Sequence, residues 1–122
     1  MNKTGEWGEI YACRYLRENG IDIVTANYSC RFGEIDIVGI DKKHLVFFEV
    51  KARSAGSIAT PAEFVTEQKQ QKTILASSHF ISYYAIDMPA RFDVIEVYFK
   101  RQDNFEDYTI NHIKNAYSAD DI

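Results

Sequence analysis

Gly33-Glu34-Ile35-Asp36-Ile37-Val38-Gly39-Ile40-Asp41-Lys42-Lys43-His44-Leu45-Val46-Phe47-Phe48-Glu49-Val50-Lys51 decides the fold. Two strand-like runs, Glu34 to Ile40 and His44 to Lys51, flank the polar Asp41-Lys42-Lys43 and read as a hairpin. Closing the turn tightly sets Ile40 against Leu45, Val38 against Phe47, Asp36 against Glu49 and Glu34 against Lys51. By the two-residue period all eight share one face, apolar near the turn and charged far from it. The other face carries Ile35, Ile37, Val46, Phe48 and Val50, so the hairpin is expected to be covered on both sides.

The charged end is the unusual part. Two carboxylates directly opposed have β-carbons roughly 5 Å apart, and at an effective dielectric of about 20 their repulsion is on the order of 3 kcal/mol. Lys51, a divalent cation or a shared proton could each relieve it. One reading is a solvated ladder of Glu34, Asp36, Glu49 and Lys51 at a strand end. The other is a phosphodiester-cleaving centre. Such cleavage needs charge on the phosphate, an activated water and relief for the leaving oxygen, all of which a hard cation held by carboxylates supplies. Mg2+ or Mn2+ on Asp36 and Glu49, with the Val50 carbonyl as an extra oxygen ligand, fits that demand, because magnesium takes few protein carboxylates and keeps several waters. Lys51, on the same face, is placed to act as base or as electrostatic clamp.

Outward from the hairpin, Thr4 to Asn19 has helical periodicity in Trp7, Tyr11, Ala12, Tyr15 and Leu16, and Gly20 supplies a stop. Glu9 falls on the face of Cys13 and Leu16, either as an edge position with its head in water or as a carboxylate turned inward. Ile21 to Val24 reads as a short strand, and Tyr28 to Phe32 continues it after an interruption around Asn27. Ser54 to Thr60 reads as a polar loop ended by Pro61, Thr66 to Tyr84 as a second helix, and Ala90 to Phe99 as a last clear strand. Tyr108 to Tyr117 has no clear assignment.

The 122 residues, 46% hydrophobic, suffice for one core, so a single domain over 1–122 is expected, with its core at about 3–100 and an acidic C-terminal tail at about 101–122. The net charge of −4 opposes phosphate binding, but five of the eighteen acids lie in the last twenty residues against one base, Lys114. No apolar run is long enough to span a bilayer and no apolar signal core follows Met1, which predicts a cytoplasmic protein with no membrane partner. Cys13 and Cys30, without a paired motif, read as reduced thiols. His44, His79 and His112 lack ligand spacing.

Asp36, then twelve residues, then Glu49-Val50-Lys51 resembles the PD-(D/E)xK nuclease signature, with Ile35 where the name has proline. A longer set is more specific: Gly5-Glu6-Trp7-Gly8-Glu9, Asn27-Tyr28, Gly33-Glu34-Ile35-Asp36, Phe48-Glu49-Val50-Lys51-Ala52-Arg53, Lys69-Gln70 and Arg91-Phe92-Asp93-Val94. Together these resemble the YraN-like family, uncharacterised protein family 0102, from about Lys3 to Tyr117.

The resemblance implies a restriction-endonuclease-like α/β core similar to that of Holliday-junction resolvases, a central mixed β-sheet flanked by helices in the order α-β-β-β-α-β. It also implies a Mg2+-dependent endonuclease acting on DNA, including branched or otherwise structured DNA. Glu9 matches the additional acid of resolvase-like sites and becomes a candidate ligand, direct or through water, while Asp36, Glu49 and Lys51 match the central triad.

Around that centre Glu34 is expected to pair with Lys51 or a neighbouring base. Arg53, Lys69 and Lys72 are phosphate-contact candidates, with a solvated helix face as the plainer reading for the two lysines. Arg91 and Asp93 are expected to form a structural ion pair, and Phe32, Phe92, Tyr83 and Tyr84 to be core or rim aromatics. The alternative function is a non-cleaving nucleic-acid-binding or scaffold module on the same fold, and a third is a protein-interaction domain. A homodimer is compatible with the hairpin edges.

Overall fold

The computed structural model describes residues 3–56, 65–102 and 104–121. Its elements are α1 (Lys3–Glu18), β1 (Asp22–Cys30), β2 (Gly33–Asp41), β3 (His44–Ser54), α2 (Glu67–Tyr83), β4 (Ala90–Arg101), β5 (Asn104–Tyr117) and a short 3-10 turn (Ala119–Asp121). The strands form one five-stranded sheet in the order β1-β2-β3-β4-β5. β3 and β4 pair in parallel and every other neighbouring pair is antiparallel. The protein is therefore α/β, with a mixed sheet and two helices.

Each helix covers one face, as the two-sided apolarity of the hairpin requires. Tyr11, Ala12 and Leu16 of α1 pack on Ile37, Val46, Phe48, Ile95, Val97 and Phe99. Ala76 and Phe80 of α2 pack on Ile35, Val38, Leu45, Phe47 and Phe92. Thr66 caps α2, its hydroxyl accepting from the Lys69 backbone N–H at 3.2 Å, which satisfies a helix-end donor otherwise left bare. Gly20, at φ +79, lets the chain leave α1 and enter β1.

Three sequence expectations need correction. The acidic segment from Arg101 onward is not a tail: Asn104–Tyr117 is a strand along β4. Its polar residues hide an apolar side, on which Phe105, Tyr108 and Ile110 pack against the α1 core and Tyr11 stacks on Tyr108 at 4.0 Å. The interruption at Asn27 does not divide β1: Asn27 stays in the strand at φ +56, a left-handed conformation that asparagine tolerates better than most residues. Ile35 lies with the α2-side cluster while Ile37 lies with the α1-side cluster, so strict alternation fails between them. Asn27 falls where β1 passes this point, since Ala26 pairs with Ile37 and Tyr28 with Ile35.

Arg91 and Asp93 do pair, at 2.9 Å. Asp93 is fully buried and also accepts from His112 at 2.7 Å and the Asn115 backbone N–H at 2.9 Å. Burial opposes its ionisation, but the bonds from His112, Arg91 and Asn115 together hold its carboxyl below the ordinary range. Both cysteines are free. The loop expected over Ser54 to Thr60, with Pro61, falls mostly outside the described residues, Ser54 closing β3. Among the described residues no helix is long and apolar enough to cross a membrane.

Candidate active site

The hairpin register holds through its apolar half, where Ile40 pairs with Leu45, Val38 with Phe47 and Ile37 with Phe48. There the backbone ladder stops. The first residues of β2 stay with β1, and the last residues of β3 stay with β4, so the two middle strands part. Asp36 sits at the fork. Its Oδ2 accepts the Val50 backbone N–H at 2.8 Å, a side-chain carboxylate doing what a strand carbonyl does elsewhere in a ladder.

Asp36 and Glu49 therefore do not stand as a simple cross-strand pair. Burial pushes the Asp36 carboxyl up to about 6, against the lowering effect of the Val50 bond, with Glu49 and Glu9 adding to the rise and Lys69 countering it. Glu49 is buried, and its Oε1 lies 3.2 Å from Lys51 Nζ and 3.7 Å from Lys69 Nζ. Lys51 thus turns to Glu49 and not to Glu34. Among the described residues Glu34 makes no ion pair, because the failed alternation beside it removes the period on which its pairing with Lys51 rested.

A cleft of about 350 Å³ opens at the fork, lined by Gly5, Glu6, Glu9, Asp36, Val50, Lys51, Ala52 and Arg53. Glu9 is brought there by a close approach of α1 to β3. A β-carbon on Gly8 would stand 2.5 Å from Ala52 Cβ, so only glycine lets the helix lie this near. Arg53 also donates to the Ala52 carbonyl at 2.9 Å. The fork thus gathers Glu9, Asp36, Val50, Lys51 and Arg53 in one cleft, with Glu49 joined to it through Lys51, and Lys69 through Glu49.

Lys72 stands apart from that cleft. It is exposed, and its Cβ and backbone carbonyl lie beside Gly33, where an added β-carbon would stand 3.5 Å from Lys72 Cβ. Glu34 lines a smaller neighbouring cleft with Asn27, Ser29, Ile35 and Asp36.

Two residues near the site escaped the sequence reading. Asn27 was visible as an interruption and in the Asn27-Tyr28 segment of the resemblance, with no role attached. Tyr117 lay in the supposed tail, yet it is buried, burial pushes its hydroxyl up to about 12, and the charges of Glu49 and Asp36 add to that rise.

Among the described residues, no three His, Cys, Asp or Glu side chains gather closely enough to hold a metal ion. A cation at the fork would have at most the two carboxylates Asp36 and Glu49, each with one oxygen engaged in the contacts above, and would need backbone carbonyl or water oxygens besides. The demand fits magnesium, which takes one or two carboxylates and retains water.

The model of an uncharacterised protein family, UPF0102, matches residues 8–97. A UPF0102 protein of Legionella pneumophila (strain Corby) is 39% identical over 119 residues, covering 96% of this chain and 96% of the relative. One of Alkaliphilus oremlandii (strain OhILAs) is 41% identical over 121 residues, covering 96% of this chain and all of the relative. A third, of Caldanaerobacter subterraneus subsp. tengcongensis, is 39% identical over 123 residues, covering 93% of each chain.

Proposed function

Since the chain belongs to the uncharacterised protein family UPF0102, we propose from its own cleft that it is a divalent-metal-dependent nuclease of the PD-(D/E)xK type, hydrolysing phosphodiester bonds in DNA. The observation that carries this reading is Asp36: a partly buried carboxylate placed where two strands part, beside Glu49, with Lys51 3.2 Å from that second carboxylate. A carboxylate whose proton affinity is raised by burial lacks compensating charge. A cation would supply it.

Asp36, Glu49 and the Val50 carbonyl would hold Mg2+ or Mn2+, with Glu9 reaching it through water. The ion, when bound, would neutralise phosphate charge and make water a better nucleophile. Lys51 directs its ammonium at the attacking water or a phosphate oxygen. Arg53 and Lys69 flank the carboxylates and give the phosphate backbone further positive contacts.

The test is cleavage of labelled linear, single-stranded and four-way-junction DNA in Mg2+ or Mn2+, beside EDTA, Asp36→Asn and Glu49→Gln controls. Cleavage by the wild type that disappears in every control is the expected result. No cleavage, together with no metal-dependent rise in melting temperature, would move the reading to a non-cleaving module on the same fold.

A further inference from the structure

The second helix carries a stripe that the catalytic reading does not use. Lys69, Lys72, His79 and Tyr83 lie on neighbouring rows of α2. From Lys69 to Tyr83 the helix advances about 21 Å. Its start meets the cleft, where Lys69 Nζ stands 3.7 Å from Glu49. Lys72 then passes Gly33 at the turn between β1 and β2. In the same turn the Arg31 guanidinium lies over Phe32, 4.8 Å from its centroid, and Phe32 contacts His79 at 5.9 Å.

The far end of the stripe presents flat rings. Tyr28 OH and His79 Nδ1 are hydrogen-bonded at 2.8 Å, which fixes the His79 ring. Tyr83 lies nearly parallel to it, at 16° and 6.2 Å between centroids. Tyr83 is 73% exposed and Tyr84 56%, whereas Phe92 is 6% exposed and belongs to the core. Phe92 is a core ring, whereas Tyr83 touches His79 and Tyr84 at the rim and is left mostly to solvent.

We propose that this stripe is a track for single-stranded nucleic acid leading out of the cleft, with phosphates on Lys69, Lys72 and Arg31 and bases stacked on the His79 and Tyr83 rings. Cations ahead of exposed aromatic planes are the combination that such strands require. A duplex would use the cations but not the rings, because its bases are already stacked. The track's use in cleavage rests on the nuclease reading. Its binding does not.

The experiment is fluorescence anisotropy in EDTA, with a labelled oligothymidylate of about twelve nucleotides and a duplex of equal length. Wild type, Tyr83→Ala and Lys72→Ala are compared, and matched melting curves show that both variants fold. Single-strand binding should weaken roughly tenfold or more in Tyr83→Ala, with duplex binding little changed. Lys72→Ala should flatten the salt dependence of log K by roughly 0.7.

Equal single-strand affinity of Tyr83→Ala and wild type overturns the track. So does a dimer that Tyr83→Ala dissociates without loss of strand affinity, since the patch is then a self-interface. Tyr83-dependent strand binding without cleavage in Mg2+ sinks the nuclease reading and keeps the track. Cleavage with Tyr83-independent binding does the reverse.

Discussion

Asp36→Asn should stabilise the metal-free protein at neutral pH, although it removes a residue placed at the centre of the site. The folded environment raises the Asp36 carboxyl from 3.8 to about 6, chiefly by burial. A carboxyl with a raised value favours folding while protonated, and that contribution is lost as pH rises through about 6. Above that range ionised Asp36 costs the fold about 3 kcal/mol relative to its protonated form. The amide of the variant resembles the protonated acid, and its oxygen can still accept the Val50 N–H. The expected gain in EDTA at pH 7.5 is thus about 2 to 3 kcal/mol, or a rise of about 10 °C in Tm for a chain of this size. About half of it should be present at pH 5, about a fifth near pH 4 and almost none near pH 3. Urea melts across that range measure it. A variant no more stable than wild type at pH 7.5, or a difference that does not change with pH, would refute the assignment of Asp36 as a partly buried carboxylate of raised proton affinity.

Saturating Mg2+ in the same melts should raise the Tm of wild type and leave that of Asp36→Asn nearly unchanged, because only a site on the native state shifts the equilibrium. Gly8→Ala should destabilise the fold by about 1 to 3 kcal/mol through its clash with Ala52, and the double variant with Ala52→Gly should recover most of that loss in denaturant titrations. Asp93→Ala should cost about 3 to 5 kcal/mol, since it leaves His112 Nε2 and the Asn115 backbone N–H without their acceptor and Arg91 with Asp41 alone. With the Asp93 carboxyl held low, the stability it lends is present at neutral pH and lost as pH falls through that lowered value, and urea melts at decreasing pH would follow it. Lys51→Ala should abolish cleavage and also lower the Tm, since buried Glu49 then keeps only Lys69, so initial rates are read where calorimetry shows the variant folded.

The sequence discloses what repeats and conceals what breaks a repeat. Hairpin register was legible because apolar and charged halves agreed in both strands, and Ile40 against Leu45 through Ile37 against Phe48 followed from that alone. α2 was legible from helical spacing, and its expected first residue, Thr66, proves to be the cap. Beyond Ile37 the same logic fails. Asp36 spends its side chain on the Val50 N–H, Asn27 turns left-handed in the adjoining strand, and Ile35 joins the α2-side cluster. No period reports a carboxylate that replaces a backbone acceptor. β5 was hidden differently: its apolar residues meet α1 aromatics from the other end of the chain, a pairing that no local pattern carries.

The same geometry answers the objection from net charge. A total of −4 opposes nucleic-acid binding only if the acids face the phosphate. Asp41 and Asp93 are held by Arg91, and Glu18 lies 3.8 Å from Arg14 at the far end of α1. Asp107 on β5 lies within 4 Å of Lys100 and Arg101, at 3.8 and 3.9 Å. Glu49 meets two lysines inside the site itself. What α2 and the β1 to β2 turn then offer outward from the cleft is Lys69, Lys72 and Arg31, with Glu34 beside them and Glu67 in the first turn of α2. Affinity that rises when Glu34→Gln removes that acid would show that local field, not total charge, governs approach to the cleft. Unchanged affinity in Glu34→Gln, at a salt concentration where Lys72→Ala weakens binding, would place the strand on the helix side of the turn alone.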